Sequence, residues 1–134
     1  MKSNKKSGND FETEFAQTLA NNGYWVHGIA SKRNGQPADI IAVKDGRPYL
    51  IDCKVCVNDV FVLKRIELNQ HLAAKRWREC GNGEYWLALK TSEGVYIISY
   101  TNLARYGKAG RASVNLDQIR TFGCGLEDWV CKRK

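Results

Sequence analysis

No stretch of this 134-residue sequence approaches the length of a membrane span, and the opening MKSNKKSGND lacks the apolar segment that a signal peptide needs. The sequence is therefore expected to stay in the cytoplasm, with no membrane partner. Only two prolines are present, no Pro/Ser-rich linker divides the chain, and internal repeats and low-complexity tracts are missing. Residues 1–134 are accordingly expected to form one domain around a single core. Five cysteines, an odd number, fit reduced thiols better than a disulfide framework. Cys53-x-x-Cys56 is the only pair at ligand spacing, and Cys124 and Cys131 supply no matching half for zinc, so the spacing reads as chance. Acidic residues are in the minority: 14 Asp and Glu against 21 Lys and Arg leave a net charge of +7. That balance points to a polyanionic partner, with a membrane surface as the rival.

The pattern of what is present alternates helix and strand. Residues 1–8, with three lysines, read as a flexible basic arm. A helix over about 9–22 ends at Asn22-Gly23, glycine being favoured just past a helix terminus. Strands follow over about 24–29, 37–44 and 47–55, a second helix over about 66–80 ending at Gly81, and strands over about 84–90 and 94–100. Residues 101–134 read as short helices and loops.

The central feature is ADIIAVKDGRPYLIDCK, residues 38–54. Asp45-Gly46 between two apolar runs signals a two-residue hairpin, because a type I′ turn needs positive φ at both positions. Lys44 then faces Arg47, and each step outward keeps the register until Asp39 faces Asp52. Pro48 falls at a position where its missing N–H costs no ladder bond. Two carboxylates about 4.5–5.5 Å apart at Cβ repel unless something compensates. Alternation puts Lys54 on the face of Asp52 and Cys53 on the other. Two carboxylates and an ammonium there can hold a divalent cation through hard oxygens while the lysine handles a water. Solvated strand ends neutralised by a surface lysine are the plainer alternative.

Both helices carry a polar residue on an apolar face. Phe11, Phe15, Ala16 and Leu19 form the stripe of the first, and at 100° per residue Glu12 falls near its middle, with Glu14 opposite beside Gln17, Thr18 and Asn21. An acid so placed must be paired, neutralised or bound to metal. Alternatively, Asn9-x-x-Glu12 is a capping box. In the second helix Gln70 sits among Ile66, Ala73, Trp77 and Cys80, either as a functional amide or as part of a satisfied buried network. His71, Lys75 and Arg78 gather on another side, suited to phosphates or to plain solvent. Nothing in the sequence supplies His71 with an orienting partner, so it reads as a surface histidine.

The order Gly8-x-x-Phe11-Glu12, Pro37-Ala38-Asp39, Asp52-Cys53-Lys54 and Gln70 resembles the PD-(D/E)XK nucleases, in particular the archaeal Holliday junction resolvases and the RecU resolvases. Phe61-x-Leu63-Lys64-x-Ile66-x-x-x-Gln70 is especially similar to RecU, and the likeness covers about residues 8–100. The resemblance implies an α/β restriction-endonuclease-like core, a mixed central sheet flanked by helices, and Mg²⁺-dependent phosphodiester hydrolysis, with Mn²⁺ substituting. Carried over by position, Glu12, Asp39, Asp52 and the Cys53 backbone carbonyl bind metal, Lys54 orients or deprotonates the attacking water, and Gln70 holds the water or a metal-bound group. The chain departs from these resolvases in having Asp52 where they usually carry Glu, in Cys53 beside it, and in lacking the extended stalk of RecU.

The expected activity is that of a Mg²⁺-dependent endonuclease on branched DNA, working as a homodimer because two symmetric nicks suit a two-fold axis. Ser31, Lys32 and Arg33 in the loop before Asp39, with Lys75 and Arg78, are the expected grips on backbone phosphates, although an ordinary polar loop reads the same way. Two alternatives stay open: an inert nucleic-acid-binding module of the same fold, and a nicking or repair nuclease for another DNA structure. Against the first, a binder of phosphate gains nothing from Asp39 opposite Asp52.

Overall fold

Phe11, Phe15 and Leu19 recur at helical spacing, and all three are buried along one side of α1 (Asn4–Asn21). The helix begins well before the expected residue 9, so positions 4–8 of the supposed arm are helical. The computed structural model describes residues 4–29 and 36–132; the loop residues Ser31, Lys32 and Arg33 lie outside them. Asn9 is thus inside α1, where its carbonyl accepts the Thr13 hydroxyl, and the Asn9 to Glu12 capping box does not form.

After Gly23, which has φ of 88°, β1 (Trp25–Gly28) runs along the sheet edge. Next come β2 (Ile40–Lys44) and β3 (Arg47–Val55), joined by Asp45 and Gly46 at φ of 53° and 77°. Their register is the expected one, from Lys44 opposite Arg47 to Ile40 opposite Ile51. The short β4 (Phe61–Val62) leads through a 3₁₀ turn at Leu63–Arg65 into α2 (Leu68–Glu79), which is shorter than the expected 66–80. A capping box between Glu67 and Gln70 fixes that start. β5 (Tyr85–Thr91) and β6 (Gly94–Ser99) follow.

The C-terminal third is more ordered than its sequence promised. It holds α3 (Tyr100–Lys108), β7 (Ser113–Val114), α4 (Leu116–Phe122), β8 (Cys124–Gly125) and α5 (Leu126–Lys132). Six strands form a mixed sheet in the order β1-β2-β3-β5-β6-β8, with β3 and β5 parallel and the other pairs antiparallel; β4 and β7 make a separate ribbon.

Alternation along the central strands divides the core into two layers. Tyr49, Ile51 and Cys53 of β3 pack with Phe11, Phe15 and Leu19 of α1 and Trp129 of α5. Leu50 packs on the other side with Ala74 of α2, Leu103 of α3 and Ile119 of α4. Cys80 is exposed and does not belong to the buried stripe of α2; Ala74 does. No helix among the described residues is long and apolar enough to cross a membrane.

Candidate active site

The acidic hairpin ends where α1 passes over the sheet. Asp52 is on β3 and almost fully buried, at 1% exposure, while Lys54 lies two residues on with its Nζ 3.2 Å from Asp52 Oδ2. Cys53 between them packs into the α1 layer, as alternation requires. The regular ladder stops at Ile40 and Ile51, so Asp39 is not a full strand partner of Asp52. Its N–H donates to the Ile51 carbonyl at 3.2 Å, and its own carbonyl accepts the Ile29 N–H at 2.8 Å. The Asp39 side chain instead reaches across to β3, where Oδ2 accepts the Cys53 backbone N–H at 2.7 Å.

Asp39 is the middle member of three acids, within hydrogen-bonding reach of both Glu12 and Asp52. Burial, the contact with Asp39 and the nearby Asp52 charge push the Glu12 carboxyl up to about 8, against a smaller pull from Lys54. Burial and the Asp39 charge raise Asp52 to about 7, again opposed by Lys54. Burial among these carboxylates also pushes the Cys53 thiol up, keeping it protonated and unreactive. Helical phase puts Glu12 on the partly buried side of α1, whereas Glu14 is exposed, with Lys90 Nζ 3.9 Å from its carboxylate.

Do these residues suit a divalent cation? The donors are hard oxygens, and their mutual repulsion makes the site bind protons where a cation would serve better. Asp52 Oδ2 is buried, and among the described residues its opposing charge is the Lys54 ammonium 3.2 Å away. In chemistry the set fits. In position it is adjacent rather than assembled: among the described residues no three ligating side chains form a ready cluster. Both Asp39 oxygens are engaged, Oδ2 by Cys53 and Oδ1 by the Gln36 side-chain amide. Asn9, Glu12, Thr13, Gly28, Gln36 and Asp39 line an open cleft of about 460 Å³ beside the acids.

Gln70 is buried at the start of α2, with its Oε1 accepting the Glu67 N–H at 3.0 Å. The satisfied-network alternative therefore describes its carbonyl end. His71 is exposed but does have an orienting partner, the Tyr100 hydroxyl at Nδ1. Lys75 is exposed on α2. Arg78 pairs with Glu84 at 2.8 Å and also bonds Thr101, so its charge is partly spent within the protein. Both basic residues lie toward the far end of α2 from Asn69, with Arg78 about 14 Å along the axis.

Three residues that sequence reasoning passed over hold the segment before Asp39. Gln36 bonds Asp39 directly, Asn69 Nδ2 donates to the Gln36 carbonyl at 2.6 Å, and the buried Tyr85 hydroxyl donates to the Pro37 carbonyl at 2.6 Å. Burial and the charges of Asp52 and Asp39 push the Tyr85 phenol well up, so it stays a donor. Gln36 had a signal in its position three residues before Asp39. Asn69 and Tyr85 had none, because their reach depends on how α2 and β5 dock.

A profile of the family described as archaeal Holliday junction resolvase (hjc) matches residues 3–133. The chain belongs to that family. The crossover junction endodeoxyribonuclease Hjc of Sulfurisphaera tokodaii is 29% identical over 133 residues, spanning 97% of this chain and 90% of the relative. Among solved structures, that of Archaeoglobus fulgidus Hjc, a Holliday junction resolvase from an archaeal hyperthermophile, superposes with a TM-score of 0.70 at 16% identity. That match covers 93% of this chain and 99% of the other, and shows that the fold is shared. The expected nuclease class and the expected core architecture both hold: the family is one of metal-dependent endodeoxyribonucleases, and the chain has its mixed sheet flanked by helices.

Proposed function

We propose that this chain is a single nuclease domain that cuts branched DNA as a cytoplasmic homodimer, with Mg²⁺ as its cation and Mn²⁺ able to replace it. The observation that carries the proposal is that Glu12 of α1, Asp39 just before β2 and Asp52 of β3 lie together beside the Lys54 ammonium. Family membership and the names of the relatives, a crossover junction endodeoxyribonuclease and a Holliday junction resolvase, agree with it.

In this reading Glu12, Asp39, Asp52 and the Cys53 carbonyl hold the cation. When bound, it supplies Lewis acidity at the scissile phosphate and offsets charge on the leaving oxygen. The protein supplies position. Asp52 steadies Lys54, whose ammonium donates hydrogen bonds that orient the attacking water and offset developing negative charge. The buried network from Tyr85 and Asn69 fixes the backbone that presents Asp39. Gln70 keeps its amide N–H₂ available for the water or a metal-bound group. Ser31, Lys32, Arg33, Lys75 and Arg78 grip backbone phosphates, with Lys75 the least encumbered of the described pair.

No base-reading motif is apparent, so selection comes from the shape of the DNA. The test is cleavage of a four-way junction beside a linear duplex of matched sequence, with Mg²⁺, with Mn²⁺ and with chelator. Preferential, cation-dependent cutting of the junction is expected, with affinity falling steeply as salt rises because counterions are released at phosphates. Equal cutting of both substrates would make the chain a general or nicking nuclease. Binding without any cutting would make it an inert module of the same fold.

A further inference from the structure

Edge strand β1 carries a feature that the acidic site does not use. Trp25 is 62% exposed, and the exposed His27 ring lies against it with centroids 5.9 Å apart and planes only 9° from parallel. Val26 between them packs into the α1 layer, so Trp25 and His27 project from the opposite face of the sheet. His27 lies opposite Ile41, and Ile41 opposite Leu50, which places both rings on the face from which Asp52 also projects. His27 is level with a position two residues from Asp39 on β2, about 7 Å along the strand; Trp25 is about 14 Å away. Gly28, the last residue of β1, and Ile29 after it line the cleft shared with Glu12 and Asp39.

We infer that Trp25 and His27 form a stacking platform for one nucleobase splayed from the DNA strand near the scissile phosphate. A bare indole at a sheet edge costs solubility and contributes nothing to the core, whereas every base has a flat face that stacks on an aromatic ring. Size separates a base from a protein partner. An aromatic side chain offers about 150–250 Å², while a specific protein interface needs about 800 Å² on each side. With the two rings stacked and their planes nearly parallel, His27 backs the indole and holds its orientation, so that an exposed ring face is offered flat rather than as the interdigitating knobs of a packed interface. Contact to a π-face reads no sequence, in keeping with selection by shape, and bases at a branch point are cheaper to unstack than those within a duplex because the helical stack is interrupted where the strands exchange.

This platform rests on the reading of the chain as a nuclease for branched DNA, and the experiment separates the two. Junction and matched duplex binding are measured by fluorescence anisotropy without divalent cation for wild type, Trp25→Ala and Trp25→Phe, with 2-aminopurine at the branch point reporting stacking. Each protein is also sized by light scattering. Trp25→Ala is expected to weaken junction binding roughly 5- to 100-fold. The same variant should leave duplex binding within about twofold and remove the change in 2-aminopurine emission, whereas Trp25→Phe retains most of both. Wild-type junction affinity in Trp25→Ala, or equal loss on both substrates, overturns the platform while the nuclease reading stands. A smaller assembly in Trp25→Ala overturns it in favour of a second copy at this face. Failure of the wild type to bind or cut the junction removes both.

Discussion

Lys54 Nζ lies 3.2 Å from Asp52 Oδ2, and the two side chains are 15% and 2% exposed. A pair this sheltered leaves each partner dependent on the other for compensation. Lys54→Met should therefore do two things. It should lower the cleavage rate by about 100-fold or more, the usual worth of a positioned proton-handling group. It should also deprive Asp52 of the opposing charge beside it, so that the site takes up a proton at higher pH than in the wild type. Single-turnover rates and a potentiometric titration of the cation-free protein read the two effects separately.

Asp39→Asn and Asp52→Asn should each reduce cleavage by about 100-fold or more, since even outer partners of a metal ligand are worth about 10–100-fold. DNA binding should be unchanged or tighter, because each substitution removes negative charge from a surface that faces phosphate. Circular dichroism should be unaltered. Near-wild-type Mg²⁺-dependent cutting by either variant would put the site elsewhere.

Neighbouring glutamates on α1 should behave in opposite ways. Glu12→Gln should cripple cleavage, whereas Glu14→Gln should lie within about 0.5 kcal/mol of wild type in stability and show normal rates, as an exposed substitution does. The reverse pattern in paired rate and thermal-melt measurements would mean that the acid faces have been exchanged.

The acids also predict how stability follows pH. Glu12 and Asp52 sit at about 8 and about 7 in the folded chain, above the ordinary values of 4.5 and 3.8. The folded state therefore binds protons more tightly than the unfolded one. The resulting stability is complete below about pH 4, declines as pH rises, and is gone above about pH 8. Thermal melts of the cation-free protein should shift downward between pH 5 and pH 9. Saturating Mg²⁺ should abolish the decline, and its addition at pH 7 should release protons into weakly buffered solution. A melting temperature that rises over the same interval would contradict the assigned directions.

Local signals read well wherever chemistry and conformation were set by adjacent residues. Asp45-Gly46 dictated a turn, the turn dictated the register down to Ile40 and Ile51, and period counting set Glu12 on the partly buried side of α1 and Glu14 in solvent. The reading failed where a distant element decided the outcome. Asp39 leaves the ladder because Cys53 N–H and the Gln36 amide offer its carboxylate better partners than solvent. Tyr85 reaches Pro37 only because β5 docks parallel to β3 with Tyr85 opposite Leu50, a pairing that no local pattern encodes. Helix propensity before Asn9 was missed because lysine-rich polar residues with a glycine read as an arm. The last third was underread because β8 has only two residues, too few for any period to register.

The position of Trp129 bears on how the chain is made. This residue of α5 stacks on Tyr24 at 5.9 Å and meets Tyr49 and Trp86 edge-on, at 5.3 and 5.8 Å. Its partners lie from some forty to more than a hundred residues earlier in the chain, so the entropy of closing those loops must be met before the contacts reward it. On the ribosome, the α1 side of the sheet stays without its largest buried ring until α5 has emerged. A nascent chain stalled before residue 126 should therefore expose Tyr24 and Tyr49 to chaperones and proteases, while one released past residue 132 should resist both. The nuclease thus acquires a closed core on this side of the sheet, and with it a steady acidic site, only once α5 has been made and has docked.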